Sequence, residues 1–322
     1  MSPRKIITLS EPILKPRCLL GEGPLWDAQT DTLHFIDILE KRVFHWQPSS
    51  KTYTMDQLDQ SIGCLALCQS GGLACATASG FAMIQPGSNG RPALHHFCKP
   101  LEGDPERARV QRFNDGACDA KGRFFAGTLE SADPPYNGQL WCYDPLLDEA
   151  KLVDDDIRES NGLGWSADNK TLFHTDSFKR AIFAYDYDLE TGSVSNKRLH
   201  IDTSFIARER YALPDGLCLD SEGGIWSASW AGSRVTRFAP DGSEDIVISI
   251  PSAWNVTACC FGGPNLDQLY ITTGSPFALG GDPRANLDPP VLMAQFPNSG
   301  NIFVADLAGE FREGVSRYPF AR

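Results

Sequence analysis

Residues 160–177 read SNGLGWSADNKTLFHTDS. Asn161-Gly162 opens a short apolar run that ends at Trp165. A polar turn (Ser166, Ala167, Asp168, Asn169) follows, and Thr171 to Thr175 alternates before Asp176-Ser177 closes the unit. Two short strands joined by an Asp/Asn turn predict a β-hairpin. The rest of the chain repeats this hairpin, with a different residue in the place of Asn161 each time.

Five further segments fit the template. Glu22-Gly23 precedes the strand Leu33 to Asp37, and Ile62-Gly63 precedes Leu73 to Thr77. Asp115-Gly116 precedes Arg123 to Thr128, and Asp215-Gly216 precedes Ile225 to Ser229. In a weaker sixth copy Thr257-Ala258 precedes Gln268 to Thr272. Gly23, Gly63, Gly116, Gly162, Gly216 and Ala258 recur about every 40–54 residues, the range of a four-stranded propeller blade. Strands at Lys41 to Trp46, Gly138 to Tyr143, Ala181 to Tyr187 and Arg234 to Phe238 fill the outer parts of blades.

Six copies predict an all-β, six-bladed β-propeller over residues 1–322, one domain around a central channel. A pair of β-sandwiches built from similar hairpins is the alternative, and the fixed period argues against it. The strand Lys5 to Leu9 and the strand Asn301 to Asp306 are expected to complete one blade together and close the ring.

The composition agrees. The 322 residues include 29 Gly and 22 Pro, scattered as in a turn-rich β protein, and 42% are hydrophobic, ample for a core. A net charge of −12 disfavours nucleic acid and anionic membrane as partners, since both select basic patches. No apolar run approaches the roughly 20 residues of a membrane span, and the N-terminal apolar stretches are broken by Glu11, Pro12, Lys15 and Pro16, a poor secretory signal. The ten cysteines sit mostly inside apolar runs and lack zinc-site spacing. A reduced, cytoplasmic protein is the expectation.

The residue before the repeated glycine starts the first strand of each blade, the strand that lines the channel. Around the ring these residues are Glu22, Ile62, Asp115, Asn161, Asp215 and Thr257, with Asn114 beside Asp115. Carboxylates converging on one axis repel strongly in a low dielectric, and a bound divalent cation offsets that repulsion. Glu22, Asn161 and Asp215 offer oxygen only, a set suited to Ca²⁺, Mg²⁺ or Mn²⁺, with Zn²⁺ or Fe(II) admissible at an open site. The competing reading is that Asn-Gly and Asp-Gly are ordinary turn dipeptides; Glu22 has no such preference. Arg112, just before the ring, suits a polyol or carboxyl-bearing substrate, or else pairs with a surface carboxylate. Glu130 to Tyr136 reads as a loop on the same mouth.

His34 and His174 fall on second strands, as packed or hydrogen-bonded residues rather than ligands or bases. The sequence carries no serine-nucleophile elbow, no phosphate-cradling glycine loop and no Gly-His or Trp-Asp marks of a WD propeller.

LGEGPLWD (20–27), RFNDG (112–116), AGT (126–128), SNGLGWS (160–166) and PDGL (214–217) resemble, in order and through nearly the whole chain, the hallmarks of the senescence-marker-protein/gluconolactonase/luciferin-regenerating-enzyme family. That resemblance implies a six-bladed propeller hydrolysing sugar lactones with a divalent metal in its channel. It implies Glu22, Asn161 and Asp215 as metal ligands and Asp215 as general base. Arg112 and Asn114 would hold substrate hydroxyls, and Glu130 stands nearest the family's acidic substrate contact. The segment 273–293 is more elaborate than the family pattern. Two alternatives are an aryl-ester or phosphotriester hydrolase on the same fold and a non-enzymatic Ca²⁺-binding propeller.

Overall fold

The computed structural model describes residues 5–87, 90–130, 137–204, 211–278, 288–309 and 314–322. After β1 (Lys5–Thr8), six antiparallel sheets follow in chain order. Blade one comprises β2 (Gly21–Asp27), β3 (Thr32–Asp37), β4 (Arg42–Gln47) and β5 (Thr52–Gln57). Blade two comprises β6 (Ile62–Leu67), β7 (Leu73–Thr77), β8 (Phe81–Pro86) and β9 (Pro92–Cys98). A short helix, α1 (Pro105–Val110), leads into blade three: β10 (Gln111–Cys118), β11 (Phe124–Glu130), β12 (Gly138–Asp144) and β13 (Glu149–Ile157).

Blade four is β14 (Ser160–Trp165), β15 (Thr171–Asp176), β16 (Ala181–Asp188) and β17 (Ser193–Asp202). Blade five is β18 (Leu213–Leu219), β19 (Ile225–Trp230), β20 (Arg234–Phe238) and β21 (Glu244–Ser249). Among the described residues blade six has three strands, β22 (Asn255–Gly262), β23 (Gln268–Gly274) and β24 (Phe303–Asp306), with α2 (Pro289–Gln295) between the last two. The sixfold repeat is therefore a six-bladed β-propeller. Among the described residues no helix is long and apolar enough to cross a membrane.

The hairpin of residues 160–177 forms as its turn chemistry dictates. Asn169 takes a left-handed φ of 56°, and Asp168 Oδ1 accepts from the Lys170 N–H and the Ser166 hydroxyl. Burial then falls outward across each blade: β2 is nearly all buried, while β5 is almost all exposed. This gradient explains why first strands read as apolar runs rather than alternating ones. The cysteines are all free thiols, nine of them buried, as small hydrophobes of the inner strands.

Four of the five repeated glycines serve close approach between blades, while Gly23 instead takes a left-handed φ of 54°. A Cβ at Gly162 would lie 2.2 Å from Leu217 N and 2.7 Å from Gly216 C, across the gap to blade five. A Cβ at Gly216 would in turn lie 2.5 Å from the Ala258 Cβ of blade six. Asn161-Gly162 and Asp215-Gly216 thus lie inside strands β14 and β18 and are not turns.

The ends of the chain depart from expectation. β1 does not share a blade with the C-terminal strand; it runs parallel to β21 on the outer edge of blade five, Lys5 opposite Ile246 and Thr8 opposite Ser249. The physical reason is twofold. β1 covers an otherwise open strand edge, and Ile7 and Leu9 pack on the core shared by blades five and six, which includes Ile246, Ile248 and Phe303. Blade six closes instead through Leu14, which bridges Ile302 just before β24, and through the Thr257 hydroxyl, which donates to Gly21 O of blade one at 2.6 Å.

Gly162→Ala tests the blade-to-blade packing. Its methyl has only backbone to displace, so the variant is expected to lose about 1–3 kcal/mol of unfolding free energy. An unchanged midpoint in urea would refute the close-packed interface.

Candidate active site

All six ring residues fall on innermost strands, and all six are buried. At each of them the inner ladder carries a register shift: between Glu22 and Leu25, Ile62 and Cys64, Phe113 and Gly116, Ser160 and Leu163, Pro214 and Leu217, Val256 and Ala258. Such a bulge opposes two residues on one strand to one on its partner and re-aims the extra side chain. In four of the six blades a polar residue before glycine sits at this bulge, while Ile62-Gly63 and Thr257-Ala258 carry it without that pattern.

The loops entering the ring are fixed by carboxylates at the ends of second strands. Asp37 accepts the Leu19 and Leu20 N–H groups, and Asp176 accepts those of Arg158 and Glu159. Ser160 meets His174 Nε2 at 2.7 Å. His174 is fully buried, and burial pushes its imidazole down to about 3; it is a packed strand residue. His34 likewise pairs with His45, Nδ1 to Nδ1 at 2.7 Å, away from the ring.

The ring residues divide by what their polar atoms do. The Thr257 hydroxyl is taken up by Gly21 O and Thr272, and Ile62 is apolar. Glu22 Oε2 accepts the Gly23 N–H at 3.0 Å. Asp115 Oδ1 accepts the Gly116 N–H at 2.7 Å, while its Oδ2 is buried with no hydrogen-bond partner among the described residues. Asn161 donates its amide to Ser177 Oγ at 3.2 Å. That bond orients the carboxamide and leaves Oδ1 buried and likewise unpartnered.

Charge is concentrated here. Burial, and then the negative charge of Glu22, Glu159 and Asp115, push the Asp215 carboxyl well above the ordinary range, with the Asn161 amide opposing. Burial and Asp115 push Glu22 upward too, against the Gly23 N–H, Arg112 and Arg317. Burial raises Asp115, with Arg317 and the Gly116 N–H opposing it. Burial works against the Arg112 guanidinium, and Glu159, Glu22 and Asp215 support its charge.

Arg112 donates to Asn114 Oδ1 at 2.9 Å and to Phe113 O at 3.0 Å, and Asn114 Nδ2 donates to Ser160 O at 3.0 Å. The surface-carboxylate alternative for Arg112 therefore gives way to a place beside the ring. Glu130 ends β11 opposite Gln111; its side chain, the 131–136 part of the proposed mouth loop and residues 279–287 of the 273–293 segment lie outside the described residues.

Among the described residues no three His, Cys, Asp or Glu side chains form a metal-holding group. The donor set here is instead two carboxylates, Glu22 and Asp215, and one carboxamide. An orphaned buried carbonyl oxygen beside two mutually repelling carboxyls is the chemistry a hard or borderline divalent cation satisfies, so the residues fit one.

Three participants escaped the sequence: Glu159, Ser177 and Arg317. Ser177 had a signal, since it closes the same hairpin that Asn161 opens. Glu159 and Arg317 lie outside the repeat positions and had none.

Residues 20–275 match the family described as the SMP-30/Gluconolactonase/LRE-like region. Regucalcin of Macaca fascicularis is 32% identical over 317 residues, 97% of this chain and 98% of its own. A solved luciferin-regenerating enzyme is similar at 26% identity with a TM-score of 0.81, covering 97% of this chain and 99% of that one. A calcium-binding protein, regucalcin, from Agrobacterium tumefaciens has the same fold: TM-score 0.83 at 21% identity, over 99% and 100% of the two chains. The chain belongs to the SMP-30/gluconolactonase/LRE-like family.

Proposed function

We propose that the protein is a metal-dependent lactonase that hydrolyses a sugar lactone to its open aldonic acid. The observation that carries this reading is the buried, unpartnered Oδ1 of Asn161 on one ring with Glu22 and Asp215. Family membership supports it, and the Agrobacterium relative is described as calcium-binding. Glu22, Asn161 and Asp215 would hold the cation, taken from Ca²⁺, Mg²⁺, Mn²⁺, Zn²⁺ or Fe(II). Bound there, it would polarise the lactone carbonyl and offset the charge that develops on its oxygen.

The chain's own residues do the rest. Asp215 takes the proton of the attacking water as the water oxygen bonds to the carbonyl carbon. The ring carbon–oxygen bond then breaks, and the proton passes to the departing alkoxide. Arg112 orients the substrate: a guanidinium carries five N–H donors, so after its bonds to Phe113 and Asn114 it retains donors for ring hydroxyls. Asn114 holds Arg112 in place from one side and is itself anchored to Ser160 O. Burial of the ring keeps bulk water from competing for these groups.

A second reading, hydrolysis of aryl esters or phosphotriesters, draws on the aromatic rings near the mouth. Phe178 and Phe277, 54% and 47% exposed, follow the mouth-side ends of β15 and β23. A panel of five- and six-membered aldonolactones against aryl esters separates the two, run after chelation and reconstitution with each cation. Lactone turnover restored by one cation is the expected result. Preferential aryl-ester turnover would favour the second reading, and cation binding without turnover would favour a non-enzymatic calcium-binding role.

Two variants sharpen the assignment. Asp215→Ala is expected to lose cation retention together with about 10²–10⁴-fold of kcat/KM; full activity in that variant sinks the scheme. Ser177→Ala frees the Asn161 amide to turn, so cation affinity measured by calorimetry should fall about tenfold with the melting temperature held. Unaltered affinity would mean that the orientation of the amide is irrelevant to the cation.

A further inference from the structure

Residues 314–322 form a strap across the end of the channel opposite the ring. Gly314 bridges Asp220 and donates to Leu266 O, so the strap begins on blades five and six. Tyr318 bridges Cys118 at the end of β10, and Phe320 bridges Cys68 just past β6. The Phe320 ring is fully buried in the core of blades two and three. Four of the six blades are tied together at this floor.

From the middle of the strap Arg317 enters the channel. It donates Nη1 to Gly116 O at 3.2 Å and Nη2 to Leu217 O at 3.1 Å. These carbonyls flank the bulges that aim Asp115 and Asp215. Arg317 is the cation that bears most strongly on Asp115, and Asp115 the carboxylate that bears most strongly on Arg317. Arg112 approaches the ring from the strand start, bonded to Phe113 and Asn114. Among the described residues the channel therefore carries one fixed guanidinium from each end, and the one from the floor belongs to a segment outside the blade repeat.

We propose that Arg317 is a positioning residue that acts as the fixed counter-cation of the channel. By compensating Asp115 it keeps that carboxylate out of the cation site and confines an incoming divalent ion to Glu22, Asn161 and Asp215. The proposal rests on the reading of those three residues as a cation site. Among the described residues Asp115 has a buried oxygen without a hydrogen-bond partner, so charge compensation by Arg317 weakens its pull on a cation; with that charge removed the carboxylate can serve as a further ligand or draw in a second ion. Removing a unit positive charge from a buried channel strengthens divalent-cation binding by about tenfold or more.

The test uses the full chain as wild type, Arg317→Met, Asp115→Asn and the double variant. Free Mn²⁺ is followed by electron paramagnetic resonance to give stoichiometry and affinity, and thermal unfolding is followed in chelator. Arg317→Met is expected to bind Mn²⁺ about tenfold more tightly, or to take up a second ion. It should also melt lower in chelator, and Asp115→Asn in the same chain should reverse both effects, as a coupled pair requires. Arg317→Met with wild-type stoichiometry and an affinity within about twofold overturns the proposal. So does a double variant that keeps the full melting loss of the single one, since the strap then acts by packing alone. If Arg317→Met fails to fold, the double variant must fold, and its failure counts against the proposal in the same way. Wild-type protein that takes up no Mn²⁺ or Ca²⁺ removes the cation reading itself, whereas wild-type binding unaltered in Arg317→Met removes only the role of Arg317.

Discussion

Like charges buried around one axis dominate this structure. Glu22, Asp115 and Asp215 sit on strands that hold the ring together by being apolar; burial pushes each of their carboxyls upward, and neighbouring carboxylates push Glu22 and Asp215 further. Three carboxylates in such a place lower stability unless something positive faces them. The surrounding polar groups are arranged around that demand: Arg112 at the strand starts, Arg317 from the floor, and backbone N–H groups at Gly23 and Gly116. Local destabilisation retained at a concave site is the usual mark of function rather than of folding.

The bulge on each innermost strand shows how fold and chemistry separate here. It occurs in all six blades, including the two whose ring residue is Ile62 or Thr257. A device that persists where no ligand is present belongs to the architecture. It lets the inner strand bend towards the axis, while Gly63, Gly116, Gly162 and Gly216 admit the neighbouring blade. Chemistry then enters by exchange of one side chain at a position the backbone has already aimed. This is why the ring was legible from sequence. A fixed backbone position that changes residue type between copies points to a role other than structure, and Glu22, with no turn preference to explain it, was the clearest case.

Other parts were not legible, for physical reasons. The strand KIIT (5–8) is short and half apolar, and nothing local chooses between the open edges of blades five and six. The choice is made by tertiary packing, through Ile7 and Leu9 on the shared core of those blades. Asn161-Gly162 and Asp215-Gly216 resembled turns because the same residues tolerate both a turn and a bulge; only the neighbouring backbone, at 2.2 Å from a would-be Cβ, shows which constraint applies. Arg317 lies in a tail with no counterpart elsewhere in the chain. Its partners, Gly116 O and Leu217 O, are 201 and 100 residues away, and a contact to a backbone carbonyl leaves no pattern in the sequence.

The order of residues around the ring bears on where a cation can sit. Carboxylates occupy blades one, three and five, and Ile62, Asn161 and Thr257 occupy the blades between them. Alternation gives three like charges the largest separation a six-position ring allows, and Coulomb repulsion falls with that distance. It also leaves a choice of which carboxylates a single cation serves. The two neutral residues flanking Asp115 are unequal: Ile62 is apolar, and Asn161 has a buried oxygen without a hydrogen-bond partner among the described residues. Thr257, between Asp215 and Glu22, has its hydroxyl committed to closing the ring. The proposed ligand atoms therefore fall on the arc from Asn161 through Asp215 to Glu22, and Asp115 stands at its edge beside Ile62. A fixed guanidinium bearing on Asp115 compensates the one carboxylate that this arc does not enclose, so an asymmetric distribution of charge is laid over a symmetric backbone.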